Sequence, residues 1–240
     1  MKKLFALLLL PSIAFAGKIG ENYVGVELGS TNFDFGVVDD YTVKTDANGF
    51  SWAISGNYNL HNAGTEKYGL DLGVSYFNGS GDDQSLDSDN DPWTTDTELS
   101  VFSLILRPYY DLGSFKIFAD FGLFNQDIEI DIKNSSTDKL SGDSTDFIYG
   151  VGFELDLSDK FSIQPSVSWS DSPSPKTNDG TDHVGKDSLT YSIPVSYSYS
   201  DNIDITASFS AINNDEFVSS GNTKVTSEST SWGLGINYKF

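Results

Sequence analysis

The chain has 240 residues, no Cys, 22 Gly and a formal net charge of -21. This length suggests one domain, and the absence of Cys excludes disulfides and attachment to lipid through a Cys. The acidic balance argues against nucleic acids and heparin-like polyanions as partners, because such partners need basic patches.

Residues 1–16, MKKLFALLLLPSIAFA, predict an export signal. Two lysines form a basic start, a short apolar run follows, and Ala-Phe-Ala at 14–16 has the A-x-A form of a cleavage site. A membrane-spanning helix needs about 20 apolar residues, so an uncleaved anchor is disfavoured. We expect cleavage after Ala16, which removes two lysines and takes the net charge from -21 to -23. The remainder, 17–240, is then a single domain.

Ten later segments alternate apolar and polar residues, the pattern of strands with one apolar face. They lie at about 23–34, 49–60, 67–77, 98–110, 115–131, 146–157, 160–170, 188–199, 202–212 and 231–240. Long polar segments, predicted to be loops, lie at about 36–47, 78–97, 132–145, 171–187 and 213–229. An even number of strands, joined alternately by short turns and long loops, is typical of barrels that cross the outer membrane.

The last ten residues, SWGLGINYKF, are the most informative part of the chain. Aromatic and aliphatic residues occupy every second position, and the chain stops on Phe240. In a soluble protein such an exposed strand would invite aggregation at a free sheet edge. In a closed barrel the last strand pairs with the first and the edge disappears.

Three stretches carry a resemblance to a known family. The hairpin YGVGFELDLSDKFSIQPSVSW at 149–169, the first strand NYVGVELG at 22–29 and the aromatic C-terminus resemble porin-family, or OmpA-like, outer-membrane β-barrel domains. The resemblance implies an all-β fold: a single antiparallel transmembrane β-barrel of about ten strands, with eight or twelve as alternatives. A soluble β-sandwich is the rival fold. The resemblance names a fold and does not name a substrate.

The same resemblance implies a place in the cell and a set of partners. The protein is expected in the outer membrane of a Gram-negative cell, in contact with outer-membrane lipid, and no cofactor is implied. The barrel-insertion machinery is expected to read the final strand, with Trp232, Tyr238 and Phe240 as the assembly signal.

Charged residues fall on the polar faces of the predicted strands, which would point into the barrel. They are Glu27, Asp71, Arg107, Lys116, Asp120, Glu154, Asp156, Asp204 and Lys239. One interpretation is a structural network in which these charges pair, because buried charges require partners. The other is an aqueous path that favours cations, because the acids outnumber the bases.

Two further chemistries are weaker candidates. Asp87, Asp89, Asp91 and Glu98 fall at positions 1, 3, 5 and 12 of an EF-hand calcium loop, but Pro92 stands where the loop needs Gly. An acidic, solvated loop is the simpler interpretation. An enzyme is not expected, because the two His, at 61 and 183, lie in a predicted turn and a predicted loop without a recognisable motif.

The sequence therefore favours a non-enzymatic outer-membrane barrel. Its expected function is porin-like passage of small solutes, with a preference for cations if the lumen is open, or a structural role in the membrane. The alternative is a surface adhesion or ligand-binding barrel that acts through its acidic extracellular loops.

Overall fold

The computed structural model describes residues 17–38, 42–64, 66–86, 92–133, 137–170, 188–218 and 224–240. The export signal predicted at 1–16 and the loop predicted at 171–187 lie outside these residues. The strands are β1 (Tyr23–Val38), β2 (Thr42–His61), β3 (Tyr68–Leu86), β4 (Pro92–Asp111), β5 (Phe115–Lys133), β6 (Thr137–Ser158), β7 (Phe161–Ile163), β8 (Ser166–Ser170), β9 (Ser188–Ser192), β10 (Val195–Ser200), β11 (Ile203–Val218) and β12 (Lys224–Lys239). None of the described residues belongs to a helix long and apolar enough to cross a membrane.

The sheet closes on itself. β1 pairs antiparallel with β12, from Tyr23 opposite Lys239 to Val38 opposite Lys224, and every other neighbouring pair is also antiparallel. β7 and β8 both pair with β6, and β9 and β10 both pair with β11, so each couple fills one position round the barrel. The twelve segments therefore occupy ten positions, and the predicted ten-stranded antiparallel barrel is confirmed.

Two prolines cause the interruptions that divide these positions. Pro165 separates β7 from β8 and Pro194 separates β9 from β10. A proline has no backbone N–H and cannot donate to the ladder. The Gln164 N–H donates to the Pro194 carbonyl at 2.9 Å, but Pro194 cannot return the bond.

The two faces of each strand differ as the alternation predicts. On β1, Val24, Val26 and Leu28 point outward and are 49–59% exposed, while Tyr23 points inward and is 2% exposed. An outward belt of aliphatic and aromatic side chains continues round the barrel. Lipid covers such a belt in a membrane-spanning barrel, so its exposure is the expected property of the fold.

Several strands are longer than a bilayer span requires. β2 to β6 each contain 19–22 residues, whereas about 9–11 residues span a bilayer. The predicted loops at 36–47, 78–97, 132–145 and 213–229 are therefore wrong for the most part, because described strand residues occupy most of them. Above the membrane neither face of a hairpin needs to be apolar, so these paired strands carry no apolar alternation for sequence analysis to detect.

Candidate functional site: the lumen and its N-terminal plug

The two sides of the lumen are built from different side chains. Most of the bulky inward residues come from β4 and β5, with Phe77 from β3, and Phe77, Leu99, Val101 and Phe124 are 0–6% exposed. The inward residues of β8 to β12 are mainly Ser, Thr, Asn and Gly. The small residues leave room for the large side chains of the opposite wall. The interior is therefore packed, as expected for a barrel of few strands.

A short segment before β1 enters the lumen at the end where the tight turns lie. We call residues 17–22 the N-terminal plug. Ile19 of the plug is 3% exposed and forms an apolar cluster with Ala63, Tyr109 and Phe118. Ala63 comes from the turn between β2 and β3, so the turn and the plug close the same mouth of the barrel.

Glu154 on β6 holds the plug in place. Its Oε2 accepts hydrogen bonds from the Ile19 backbone N–H at 2.8 Å and from Gln164 Nε2 at 2.6 Å. Its Oε1 accepts a charge-assisted hydrogen bond from Lys116 Nζ at 2.6 Å, and Lys116 Nζ also donates to the Ile19 carbonyl at 3.0 Å. Three donors make this fully buried carboxylate compatible with the interior.

A second buried ion pair lies beside the plug. Arg107 Nε and Nη2 donate to the two carboxylate oxygens of Asp120 at 2.7 and 3.0 Å, a bidentate arrangement. The guanidinium also lies over the Phe118 ring, 4.3 Å from its centroid. Asp71 accepts hydrogen bonds from the Gly20 N–H at 2.9 Å and from Asn59 Nδ2 at 2.6 Å.

Two further ion pairs tie the plug to the end of the barrel. Lys18 Nζ lies 3.3 Å from Asp156 Oδ1. Lys239 Nζ lies 2.9 Å from Asp204 Oδ1 and 3.6 Å from Glu21 Oε2. Burial raises the pKa of Glu21, and the Lys239 ammonium opposes that rise.

All nine charged residues assigned to the inner face from sequence lie on inward positions, and eight of them belong to the contacts just described. The ninth, Glu27, accepts a hydrogen bond from Ser208 Oγ at 2.7 Å and lies on the side of the lumen that the small residues of β8 to β12 line. Sequence analysis missed the plug, with Lys18 and Glu21, and missed Gln164. No periodic signal marks a six-residue segment whose partners come from several distant strands.

The weaker candidates are not brought together. Asp87, Asp89 and Asp91 lie outside the described residues, and Glu98 is exposed on the outer face of β4. Among the described residues no group of three or more His, Cys, Asp or Glu is arranged to hold a metal ion. His61 lies in the turn after β2, 4.0 Å from Glu66, and both are exposed. His183 lies outside the described residues.

The extended strands carry a second candidate site on their outer surface, which we call the acidic wall. Asp82, Asp96 and Asp131 are directly opposite one another across β3, β4 and β5. One step nearer the membrane, Glu98 is opposite Glu129. Lys139 of β6 is opposite Asp131, and Lys133 lies two residues further along β5. The five acids outnumber these two bases, so the surface keeps a net negative charge, which attracts cations and basic groups.

The comparisons with known proteins agree with this architecture. Residues 4–172 match the profile of the family described as "Outer membrane protein beta-barrel domain". The fold is similar to the transport unit of the autotransporter AIDA-I from Escherichia coli, with a TM-score of 0.60 and 15% identity over 96% of this chain and 93% of that one. It is also similar to the outer membrane protease OmpT from Escherichia coli, with a TM-score of 0.61 and 10% identity over 92% and 98%. A search of curated protein sequences found no match.

Proposed function

Because this chain belongs to the outer membrane protein β-barrel family, we propose that it is a closed, non-enzymatic outer-membrane barrel that binds a basic partner through its acidic wall. The lumen serves as structural support in this proposal. The extended sheet acts as a rigid platform that carries the acidic wall beyond the lipid.

The accessibility of the inward side chains is the observation that carries this proposal. A side chain that lines an aqueous pore remains accessible to water. Here Asp71, Leu99, Glu154 and Asp204 are 0–1% exposed, although they come from four different strands. Paired charges at the mouth and apolar packing farther along the lumen support a closed barrel.

The acidic wall is tested by neutralising one cross-strand row. The variant D82N/D96N/D131N and the parent, both in lipid vesicles, are titrated with a fluorescent decalysine peptide. Exposed charge contacts are worth about 0.2–1 kcal/mol each, so losing three weakens binding about 3- to 160-fold at low salt. Binding by the parent fades near 1 M salt, where screening acts over about 3 Å.

A matched control neutralises three exposed acids at the opposite end of the barrel. The control variant is E66Q/D159N/D201N, and it binds the peptide as the parent does. Equal binding by the wall variant and the parent would show that the acidic wall is not the binding surface.

Porin-like passage is the second candidate, and a different observation favours it. The hydroxyls of Ser162, Ser192 and Ser196 are buried and have no hydrogen-bond partner among the described residues. Such groups accept water, and Glu27 lies on the same side of the lumen. An aqueous path along this Ser-rich side of the lumen would prefer cations. Planar-bilayer recording separates the two candidates: the closed barrel gives no conductance, whereas cation-selective steps would favour passage.

A further inference from the structure

The first residue of the N-terminal plug is buried in the lumen. The Gly17 carbonyl accepts a hydrogen bond from Gln164 Nε2 at 2.7 Å. A Cβ on Gly17 would overlap the ring of Tyr23, which is itself 2% exposed. Gln164 also bonds Glu154, so the start of the plug lies one side chain away from a fully buried carboxylate.

The described side chains around the plug do not balance in charge. The acids are Glu21, Asp71, Asp120, Glu154, Asp156 and Asp204, and the bases are Lys18, Arg107, Lys116 and Lys239. Four ion pairs use all four bases, and Lys239 is shared between two acids. Asp71, 1% exposed, accepts hydrogen bonds from the neutral Gly20 N–H and Asn59 Nδ2. Arg107 is opposite Asp71 across β3 and β4 but forms its bidentate pair with Asp120. An uncompensated buried charge is costly, so this region favours one more cation.

We propose that the α-amino group of Gly17 is that cation, and that removal of the leader completes the closure of the barrel. The inference rests on cleavage after Ala16. Hydrolysis of the Ala16–Gly17 peptide bond breaks its C–N bond, places the oxygen of water on the new Ala16 carboxylate, and leaves a free amine on Gly17. An α-amino group is mostly protonated at pH 7, whereas the peptide nitrogen that it replaces carries no charge.

This arrangement makes processing strengthen the docking of the plug. Before cleavage the six acids around the docked plug face only four bases, and the Gly17 nitrogen is an uncharged amide. After cleavage, the ammonium lies at the position that Tyr23 and Gln164 define. Removal of the leader then strengthens the closure of the inner mouth as well as completing export.

Trypsin reports docking directly, because Lys18 is in the plug. Its side chain is 12% exposed and paired with Asp156, so a docked plug protects the Lys18–Ile19 bond. Three chains are refolded into vesicles: one starting at Gly17, one whose terminal amine has been transaminated to a carbonyl, and one that retains Ala16 with its terminal amine acetylated. Intact mass detects the loss of residues 17–18. Cleavage after the exposed Lys160 is the internal control.

The proposal expects the free-amine chain to resist trypsin at Lys18 and both altered chains to be cleaved at least tenfold faster. Transaminated D71N should regain protection, because one excess negative charge is gone. Equal protection of all three chains would overturn the proposal, as would transaminated D71N that remains as sensitive as its parent. Rapid cleavage of the free-amine chain would overturn it too. None of these outcomes depends on the acidic wall, whose failure to bind decalysine would leave the trypsin result unchanged.

Discussion

Removing the Arg107 side chain should destabilise the barrel severely. The R107A variant loses two charge-assisted hydrogen bonds to Asp120, at 2.7 and 3.0 Å, each worth about 1.5–3 kcal/mol. It also loses the contact with the Phe118 ring, worth about 0.5–2 kcal/mol. Removing one partner of a buried pair costs about 3–5 kcal/mol in comparable cases. We expect that range, which lowers the ratio of folded to unfolded protein about 160- to 4,700-fold.

Equilibrium unfolding in urea, with the protein in lipid vesicles and Trp fluorescence as the signal, measures this free energy. The double variant R107L/D120L is the decisive companion, because replacing a buried pair by apolar residues is often neutral. It should recover most of the lost stability. The E66Q variant, which alters the exposed contact with His61, is the control and should change the free energy of unfolding by less than about 0.5 kcal/mol.

Two results would refute this reasoning. If R107A unfolds at the same urea concentration as the parent, the pair contributes nothing to the closed lumen. If R107L/D120L is less stable than R107A, the loss comes from the shape of the side chains and not from an unpaired Asp120.

Three more outcomes follow from the structure. Burial raises the pKa of Glu21 above its ordinary 4.5, so the docked plug binds a proton more tightly than the undocked plug. Docking therefore weakens as the pH rises from 4.5 through the raised pKa, and hydrogen exchange of the plug should show this slope in the parent and not in E21Q. Deleting Phe240, whose N–H donates to the plug at Asn22, should reduce insertion into the outer membrane, as measured by fractionation; normal insertion would contradict an assembly role for the C-terminus. The G29V variant should fail to convert to the compact, heat-modifiable form on gels, because a Cβ at position 29 would meet the Trp232 carbonyl of β12 where β1 and β12 close the barrel. Normal conversion would mean that the closing strand pair can accommodate the larger side chain.

The membrane-spanning part of the fold was predictable because lipid imposes a strict rule on sequence. Each strand must present an apolar side chain at every second position, and the segment that ends at Phe240 obeys this rule throughout. Positions of the inward charges followed from the same alternation. The pairing of Lys116 with Glu154 did not, because alternation gives the face of a residue and not the identity of its neighbour.

The remaining structure was hidden for three physical reasons. The strand extensions lie in water, where both faces of a paired hairpin can be polar. The plug is an irregular segment whose geometry depends on partners from β3, β5, β6 and β12. The interruptions at Pro165 and Pro194 divide two strands without changing the face to which the neighbouring side chains point, so the alternation continued through them.

The two prolines also determine where the wall of this cylinder bends. A β-barrel resists deformation because its hydrogen-bond ladder joins every strand to the next. At Pro165 and Pro194 two adjacent strands lack donors at the same height, and β7 and β10 are joined by only three residue pairs. Lateral pressure from the bilayer acts on the whole circumference, but the curvature changes most where the ladder is thinnest. The barrel is therefore expected to pass from a round to an oval cross-section by folding along this line, while the packed wall of β4 and β5 keeps its shape.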